Sequence, residues 1–188
     1  MLTDTLHIFA VYVEDQPGVL NRVASLFRRR GFNIHSLSVG NSETAGVSRM
    51  TVVVQTDAGG AARIKAHLQK LVPVIRVDDL QPRAAVVRDL ALIKVSATHD
   101  NRAPVMQLVQ VFDARVVDVA PTSLIVENCA SEAKVDGLVE VLRPYGVLEM
   151  VRTGRVAIDR GSVQRDGHAP RDARVAGQAA ADGVSYSV

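Results

Sequence analysis

Asp15, Pro17 and Gly18 lie in the segment Glu-Asp-Gln-Pro-Gly-Val-Leu, where an apolar run ends and an amphipathic one begins. A helix beginning at Pro17 would offer free backbone N–H groups and the positive end of its dipole, and both attract an anion. Because Gly18 has no Cβ, an anion could come close to the backbone there. The carboxylates of Glu14 and Asp15 would repel a dianion, but they could accept hydrogen bonds from an ammonium group. A free α-amino acid, which carries both charges, satisfies these conditions.

Asn33 follows the far end of the same helix, in the segment Gly-Phe-Asn-Ile, and its amide offers both a donor and an acceptor. At 1.5 Å per residue the helix would separate Asn33 from the loop at residues 15–18 by about 15 to 20 Å. One small ligand cannot reach both within a subunit, so the spacing predicts a dimer whose interface completes the site. The spacing alone leaves an alternative open, because Asp, Pro, Gly and Asn are also favoured where helices merely start and end.

The elements that position these residues follow the order strand, helix, strand, strand, helix, strand within residues 1–80. Apolar and alternating runs predict strands, and apolar spacings of three and four residues predict helices. The predicted strands are 6–13, 32–39, 47–56 and 74–80, and the predicted helices are 17–30 and 61–71. The inner face of the first helix is predicted to contain Val19, Leu20, Val23, Ala24 and Phe27.

The same order of elements returns in the second half of the chain. The predicted strands are 90–98, 116–119, 123–128 and 147–158, the last interrupted near Gly154, and the predicted helices are 104–112 and 132–142. The sequence therefore predicts an α+β chain of two tandem ferredoxin-like (βαββαβ) domains, at 1–80 and 89–160, joined by a linker at 81–88. Residues 161–188 lose all periodicity and are predicted to be disordered.

The candidate site is not repeated in the second half. A shift of 85 positions superposes the apolar core of the first helix on that of the third. It also places Ala103 where Gly18 stands and Asp118 where Asn33 stands. A second carboxylate would repel that of an amino acid, so the second domain is not expected to bind one in the same way.

Composition and charge exclude several classes of function. The 188 residues are 47% hydrophobic, which is ample for two small packed domains. Lys and Arg total 22 against 20 Asp and Glu, and aromatic residues make up 4% with no Trp, so no nucleic-acid partner is expected. The first apolar run ends after about eight residues and follows no basic leader, which predicts neither a signal peptide nor a membrane span. We therefore expect a cytoplasmic protein.

Cysteine and histidine give no metal site. Cys129 is the single cysteine, so it forms no internal disulfide and no CxxC pair, which fits a reducing compartment. Its apolar surroundings in the sequence predict an inert strand thiol. The histidines without a second ligand at metal spacing are interpreted as surface or packing residues, namely His7, His67, His99 and His168.

Several ordered blocks of the chain resemble one known family. They are EDQPGVLNRVASLFRRRGFNIHSL, SRMTVVV, KLVPVIRVDDL, RDLALIKV, VVDVAPTSLIVE and GRVAIDRG. Together they resemble the regulatory (small) subunit of acetolactate synthase, also called acetohydroxyacid synthase, over about residues 6–162. The first half is similar to an ACT domain, a module whose usual ligands are amino acids.

This resemblance implies a non-catalytic partner of a large subunit. That large subunit carries thiamine diphosphate, magnesium and FAD, and it condenses two pyruvates, or pyruvate with 2-ketobutyrate, on the route to valine, leucine and isoleucine. The small subunit would raise the activity of the large one and confer feedback inhibition, usually by valine. No cofactor is expected in this chain itself.

The resemblance also implies a site between two ACT domains of a homodimer. Carried over residue by residue, it assigns loop contacts to Asp15, Gly18, Val19 and Leu20, and partner-chain contacts to Asn33 and Ile34. His35 departs from the family's pattern, since relatives often carry an acidic residue there, and a charge on His35 would lie next to the ammonium end of the ligand. The second domain is expected to serve dimerisation and contact with the catalytic subunit.

Two other functions compete with this interpretation. A free-standing ACT sensor could regulate a different enzyme or transcription, although the sequence has no helix-turn-helix or basic patch to support the latter. An enzyme of the acylphosphatase type on the same fold would need a loop arginine for phosphate and an asparagine to place water. The first loop has the wrong charge for that reaction, but the second contains Asn101 and Arg102.

Overall fold

The computed structural model describes residues 5–81 and 84–161, so the predicted tail, apart from Gly161, lies outside the described residues, as does His168. Within these ranges the chain forms two successive units, each an antiparallel sheet with two helices on one face. The predicted pair of tandem ferredoxin-like folds is confirmed.

The first unit has the strand order β2-β3-β1-β4, with β2 and β4 at the two edges. Side chains alternate along β1, so that Phe9 and Val11 are buried under the helices while Ile8 and Ala10 face the other side. Its elements are β1 (Thr5–Glu14), α1 (Val19–Arg30), β2 (Ile34–Asn41), β3 (Val47–Thr56), α2 (Ala58–Leu68) and β4 (Val74–Asp79).

The second unit repeats this arrangement with the order β6-β7-β5-β8, and an extra strand, β9, also pairs with β5. The predicted interruption near Gly154 is confirmed, because residues 153–155 separate β8 from β9. The elements are β5 (Ala85–Ser96), α3 (Arg102–Val111), β6 (Arg115–Val119), β7 (Ser123–Ala130), α4 (Glu132–Leu142), a 3-10 turn (Arg143–Tyr145), β8 (Val147–Arg152) and β9 (Val156–Asp159).

Helix α1 begins at Val19, so the prediction that it begins at Pro17 is wrong. Gly18 is the N-cap, with a φ of 83° in the left-handed region, and this residue turns the chain into the helix. The sequence Pro-Gly does not distinguish a proline at the first helical position from a proline just before a glycine N-cap, so the spacing alone could not locate the start of α1. The start of α2 also differs from the prediction, since the helix begins at Ala58 and not at residue 61. Its N-cap is Asp57, whose carboxylate accepts a hydrogen bond from the Gly60 N–H at 2.6 Å.

The inner face of α1 is rotated relative to the prediction. Leu20 is 45% exposed, so its predicted place in the core is wrong. The buried positions are Val19, Val23, Leu26 and Phe27, which follow the spacing of one helix face from the observed first residue.

Half of the predicted linker is a strand. Ala85–Arg88 form the first part of β5 and pair with β9, in the register of Val86 with Ile158 and Val87 with Ala157. A short apolar run can form a strand when another strand pairs with it. Here the pairing strand is β9, which lies about 70 residues further along the chain, so the sequence around Ala85–Arg88 gives no local signal of it.

The paired segments of β5 and β9 cover the first sheet on the side opposite its helices. Ile8, Ala10 and Val53 are buried there in one cluster with Leu80 and Ala157. Tyr12, Ala85 and Val87 pack against this cluster. The outer face of the first sheet is therefore part of an interface between the two units.

Candidate functional site

The loop between β1 and α1 is fixed by hydrogen bonds from other parts of the chain. The Asp15 N–H donates to the Gly46 carbonyl at 2.9 Å, and the Ser48 hydroxyl donates to the Asp15 carboxylate at 3.1 Å. The Glu14 N–H donates to the Pro73 carbonyl at 2.9 Å. These bonds hold the acidic corner beside the start of α1. One oxygen of the exposed Asp15 carboxylate accepts no hydrogen bond within the described residues.

The start of α1 presents backbone donors. No side chain caps it, and the N–H groups of Leu20 and Asn21 have no acceptor within the part of the chain that the structure describes. A Cβ added at Gly18 would meet nothing within 4 Å, so the glycine is required by its positive φ and not by crowding. Open space therefore adjoins the donors, as an anion site needs.

The four loop residues proposed for ligand contact come together in the structure. Asp15, Gly18 and Leu20 are exposed, and Val19 is buried as the first residue of α1. The exposed Leu20 side chain, together with the open N–H groups and the Asp15 carboxylate, forms a small surface with an apolar, a donor and an acidic part.

Asn33 and Ile34 lie at the opposite end of the sheet. Glu14 pairs with Val47 and Ile34 pairs with Val54, which lies seven residues further along β3. At about 3.4 Å per residue these two ends are roughly 24 Å apart. Asn33 is exposed just before β2 and makes no contact with the loop in the same chain. The expected separation of the two groups is thus present, while the shared ligand site stays a prediction.

The corresponding loop of the second unit is built differently. Its helix α3 has Asn101 at the N-cap with a φ of −111°, so no left-handed turn precedes it. The Arg102 guanidinium donates from Nη2 to the carbonyls of Ala97, Ala120 and Pro121 at 2.7 to 3.0 Å. This side chain ties the loop to the end of β6, and it is not directed at an open anion site.

Sequence reasoning missed the partners of Asp15. Gly46 and Ser48 belong to the turn and strand that follow β2, more than thirty residues away. Ser48 is one of several polar residues in β3, so the sequence contains no local signal for its contact with Asp15. Ser36 was also missed: its Oγ accepts a hydrogen bond at 2.8 Å from the N–H of Arg155, in the segment between β8 and β9.

The other candidate residues behave as structural side chains. His7 is buried, and its Nδ1 lies 3.3 Å from the Asp79 carboxylate. Cys129 lies on β7, as predicted, and is exposed. Among the described residues no group of three or more His, Cys, Asp or Glu side chains could hold a metal ion. No helix in the same ranges is long and apolar enough to cross a membrane.

The sheet order, the two helices on one face and the loop before α1 define an ACT-type domain followed by a second ferredoxin-like domain. Comparison with protein families agrees: a family described as "AHAS small subunit-like ACT domain" matches residues 9–76, and one described as "Small subunit of acetolactate synthase" matches residues 88–161. The chain belongs to the acetolactate synthase small subunit family.

Individual relatives are similar over most of their length. A probable acetolactate synthase small subunit of Methanothermobacter thermautotrophicus is 45% identical over 157 residues, which cover 83% of this chain and 94% of that protein. An acetolactate synthase small subunit of Mycobacterium bovis is 45% identical over 155 residues, covering 82% and 92%. The crystal structure of the small subunit from Thermotoga maritima superposes with a TM-score of 0.79 at 37% identity, covering 85% of this chain and 99% of that one.

Proposed function

We propose that this chain is the regulatory subunit of an acetolactate synthase, with no active site of its own. It binds the large catalytic subunit, raises its activity and makes it sensitive to feedback inhibition by a branched-chain amino acid, valine in the first place. Similarity to proteins named as small subunits supports the large-subunit partner. Thiamine diphosphate, magnesium and FAD belong to that partner, and the cytoplasm is the proposed location.

The observation that carries the sensing role is the open start of α1 beside Asp15. The carboxylate of the effector accepts hydrogen bonds from the N–H groups of Leu20 and Asn21 and gains from the helix dipole. Its ammonium group donates to Asp15, whose orientation Ser48 holds. A branched side chain packs on the exposed part of Leu20.

The second half of the site comes from a partner subunit. Strand β2 is an edge strand, and it contains no proline and no Asp, Glu, Lys or Arg to prevent pairing. If two copies of β2 pair in antiparallel register about their centres, Ile34 of one copy lies opposite Asn41 of the other. Because Asn41 pairs with Ser48, that arrangement brings Asn33 of one subunit to the end of the sheet where Asp15 of the other lies.

Contacts between β2 and the second unit carry the signal onward. Ser36, two residues after Ile34, accepts a hydrogen bond from the Arg155 N–H, and a Cβ at Gly154 would lie 2.4 Å from the Leu37 carbonyl oxygen. The Arg155 side chain in turn pairs with Glu132 at the start of α4. We name Ser36, Leu37, Gly154 and Arg155 the β2 clasp. An effector that changes the position of β2 therefore acts on the second domain, with a coupling of about 1 to 3 kcal/mol and hence partial inhibition.

The test is calorimetric titration of the purified chain with valine, leucine and isoleucine, followed by activity assays with the large subunit. We expect one of the three to bind, the chain to raise the activity of the large subunit, and the bound amino acid to lower it again.

Asn33→Ala should weaken effector binding, because each subunit's ligand then loses a contact from the neighbouring chain. Unchanged calorimetric affinity of this variant would exclude the shared site.

The activity assay with the large subunit and a phosphate-ester hydrolysis assay separate the alternative functions. A free-standing ACT sensor would bind an amino acid without changing the activity of the large subunit. An enzyme of the acylphosphatase type would hydrolyse a phosphate ester without any partner, and the hydrogen bonds of Arg102 to three carbonyls count against it.

A further inference from the structure

A cleft of about 340 Å³ lies between α1 and α2, away from the start of α1. Its floor is apolar and its walls are basic. The residues that line it are Leu26, Arg29, Arg30, His67, Lys70 and Leu71.

The basic charge of this cleft is not balanced nearby. Neither α1 nor α2 contains an Asp or Glu residue. Within residues 5–81 and 84–161, no Arg or Lys side chain of the two helices makes a hydrogen bond or an ion pair, nor does Lys70. In the second unit, by contrast, two cations on the surface have acidic partners: Arg115 lies 2.6 Å from Glu127, and Lys134 lies 2.5 Å from Asp113.

Several of the cations lie close enough to His67 to lower its pKa. Partial burial, followed by the charges of Arg30, Lys70 and Arg63, lowers the pKa of His67 below its usual value of 6.5. The helix dipole accounts for part of this clustering of positive charge, since Arg29 and Arg30 occupy the last turn of α1, where a cation is favourable. It does not account for Arg63, which lies in the middle of α2 and adds a charge of the same sign.

We propose that this cleft binds a small anion with clustered phosphate groups. Two arginines and a lysine line this concave space, and guanidinium matches the geometry of phosphate oxygens in paired hydrogen bonds. Leu26 and Leu71 give an apolar floor for an organic part of the same molecule. The cleft uses the second half of α1, whereas the proposed amino-acid site uses its first turn, so this inference does not depend on the proposed function.

The test is calorimetry with orthophosphate, pyrophosphate, tripolyphosphate and fructose 1,6-bisphosphate, at low and moderate salt. We expect binding of the multivalent phosphates, weaker at higher salt. Tighter binding of the sugar bisphosphate than of pyrophosphate indicates an organic ligand, and the reverse order indicates an inorganic one. Citrate controls for negative charge without phosphate and is expected to bind less well.

A matched pair of double variants locates the binding. R30Q/K70Q removes two charges from the cleft and should weaken pyrophosphate binding by about tenfold or more, because two charge-assisted hydrogen bonds are lost. R22Q/K65Q removes one charge from α1 and one from α2 outside the cleft lining, and its affinity should change little.

Three results would overturn the proposal. The first is no measurable binding of any phosphate compound, and the second is equal loss of affinity in both double variants, which would indicate a diffuse charge effect. The third is phosphate binding that survives R30Q/K70Q while activation of the large subunit is lost. In that case the basic surface serves contact with an acidic protein surface instead.

Discussion

Gly18 shows how a single torsion angle can determine a candidate site. Its φ of 83° is unfavourable for any residue with a Cβ, although a Cβ would meet no neighbouring atom. The residue is therefore needed for the path of the chain, and the open space beside it is what a ligand can use.

Gly18→Ala should lower the free energy of unfolding by about 1 to 2 kcal/mol, the cost of the left-handed conformation, and should also weaken effector binding. The matched control is Gly31→Ala, because Gly31 has a φ of 71° at the other end of α1 and also has open space around it. Urea unfolding should show a similar loss for both variants, and calorimetry should show weaker binding only for Gly18→Ala. Equal losses of affinity would mean that stability alone is responsible.

Gly18→Asp adds a carboxylate next to the free N–H groups of the first turn. It should abolish effector sensitivity and leave activation of the large subunit intact, because the added charge repels the effector's carboxylate, whereas the strain of the left-handed conformation is shared with Gly18→Ala. Full inhibition by valine in this variant would place the effector elsewhere.

His67 should give the first domain a dependence of stability on pH. Since the folded-state pKa of His67 lies below 6.5, the unfolded chain binds more protons between these two pKa values, and the free energy of unfolding falls as the pH decreases through that window. His67→Gln should reduce this slope, as measured by urea unfolding from pH 7.5 downwards. Lys70→Gln should reduce it partly, because Lys70 contributes to the shift, whereas Lys65→Gln should not.

At the scale of elements, the repeated βαββαβ order was predictable because local apolar spacing determines it. The ends of the elements were less predictable. The start of α1 depends on the torsion of Gly18, and the start of α2 on a side-chain cap from Asp57, and neither changes the apolar pattern. The strand at Ala85–Arg88 depends on β9, a distant partner.

In the candidate site, too, local sequence predicts some features, and others depend on residues that are distant in the chain. The loop motif predicts a ligand site, and its residues lie at the start of α1. Gly46 and Ser48, which orient Asp15, are brought to it by the pairing of β1 with β3, which no local pattern specifies. The β2 clasp depends on packing between the two units, so the sequence contains no signal for it beyond the glycine at position 154.

The β2 clasp can be tested with Gly154→Ala. A Cβ there would lie 2.4 Å from a backbone oxygen of β2, so the two units must move apart locally, at a cost of about 1 to 3 kcal/mol. We expect valine to bind with little change in affinity but to inhibit the complex less. The readouts are calorimetry for binding and the assay with the large subunit for inhibition.

Two further variants extend the test of the β2 clasp. Ser36→Ala removes the hydrogen bond to the Arg155 N–H and should act in the same direction, more weakly. Gly59→Ala in α2 is the control, because its Cβ would make an ordinary contact at 3.5 Å and it should leave inhibition unchanged. Normal inhibition in Gly154→Ala would exclude the clasp as the route between the domains.

At the scale of the whole molecule, the two edges of the first sheet can be compared directly. Val39 on β2 is 45% exposed and Ile75 on β4 is 43% exposed. Val39→Lys should convert the proposed dimer to monomers, since a charge on an edge strand opposes pairing, whereas Ile75→Lys should not. Sedimentation equilibrium measures the result. Dissociation by Ile75→Lys alone would place the interface on β4 and would separate Asn33 from the neighbouring site.

The position of β9 has a consequence for how this protein can be divided and recombined. The cover of the first sheet is contributed by the last described strand, so a fragment ending near residue 81 would expose Ile8, Ala10 and Val53 to water. A chimera that exchanges sensing halves between relatives must therefore carry β9 together with Ala85–Arg88, or replace the three apolar residues by polar ones. The two halves resemble independent modules in topology, but the packing of Ala157 and Ala85–Arg88 on the first sheet makes them one unit for any such exchange.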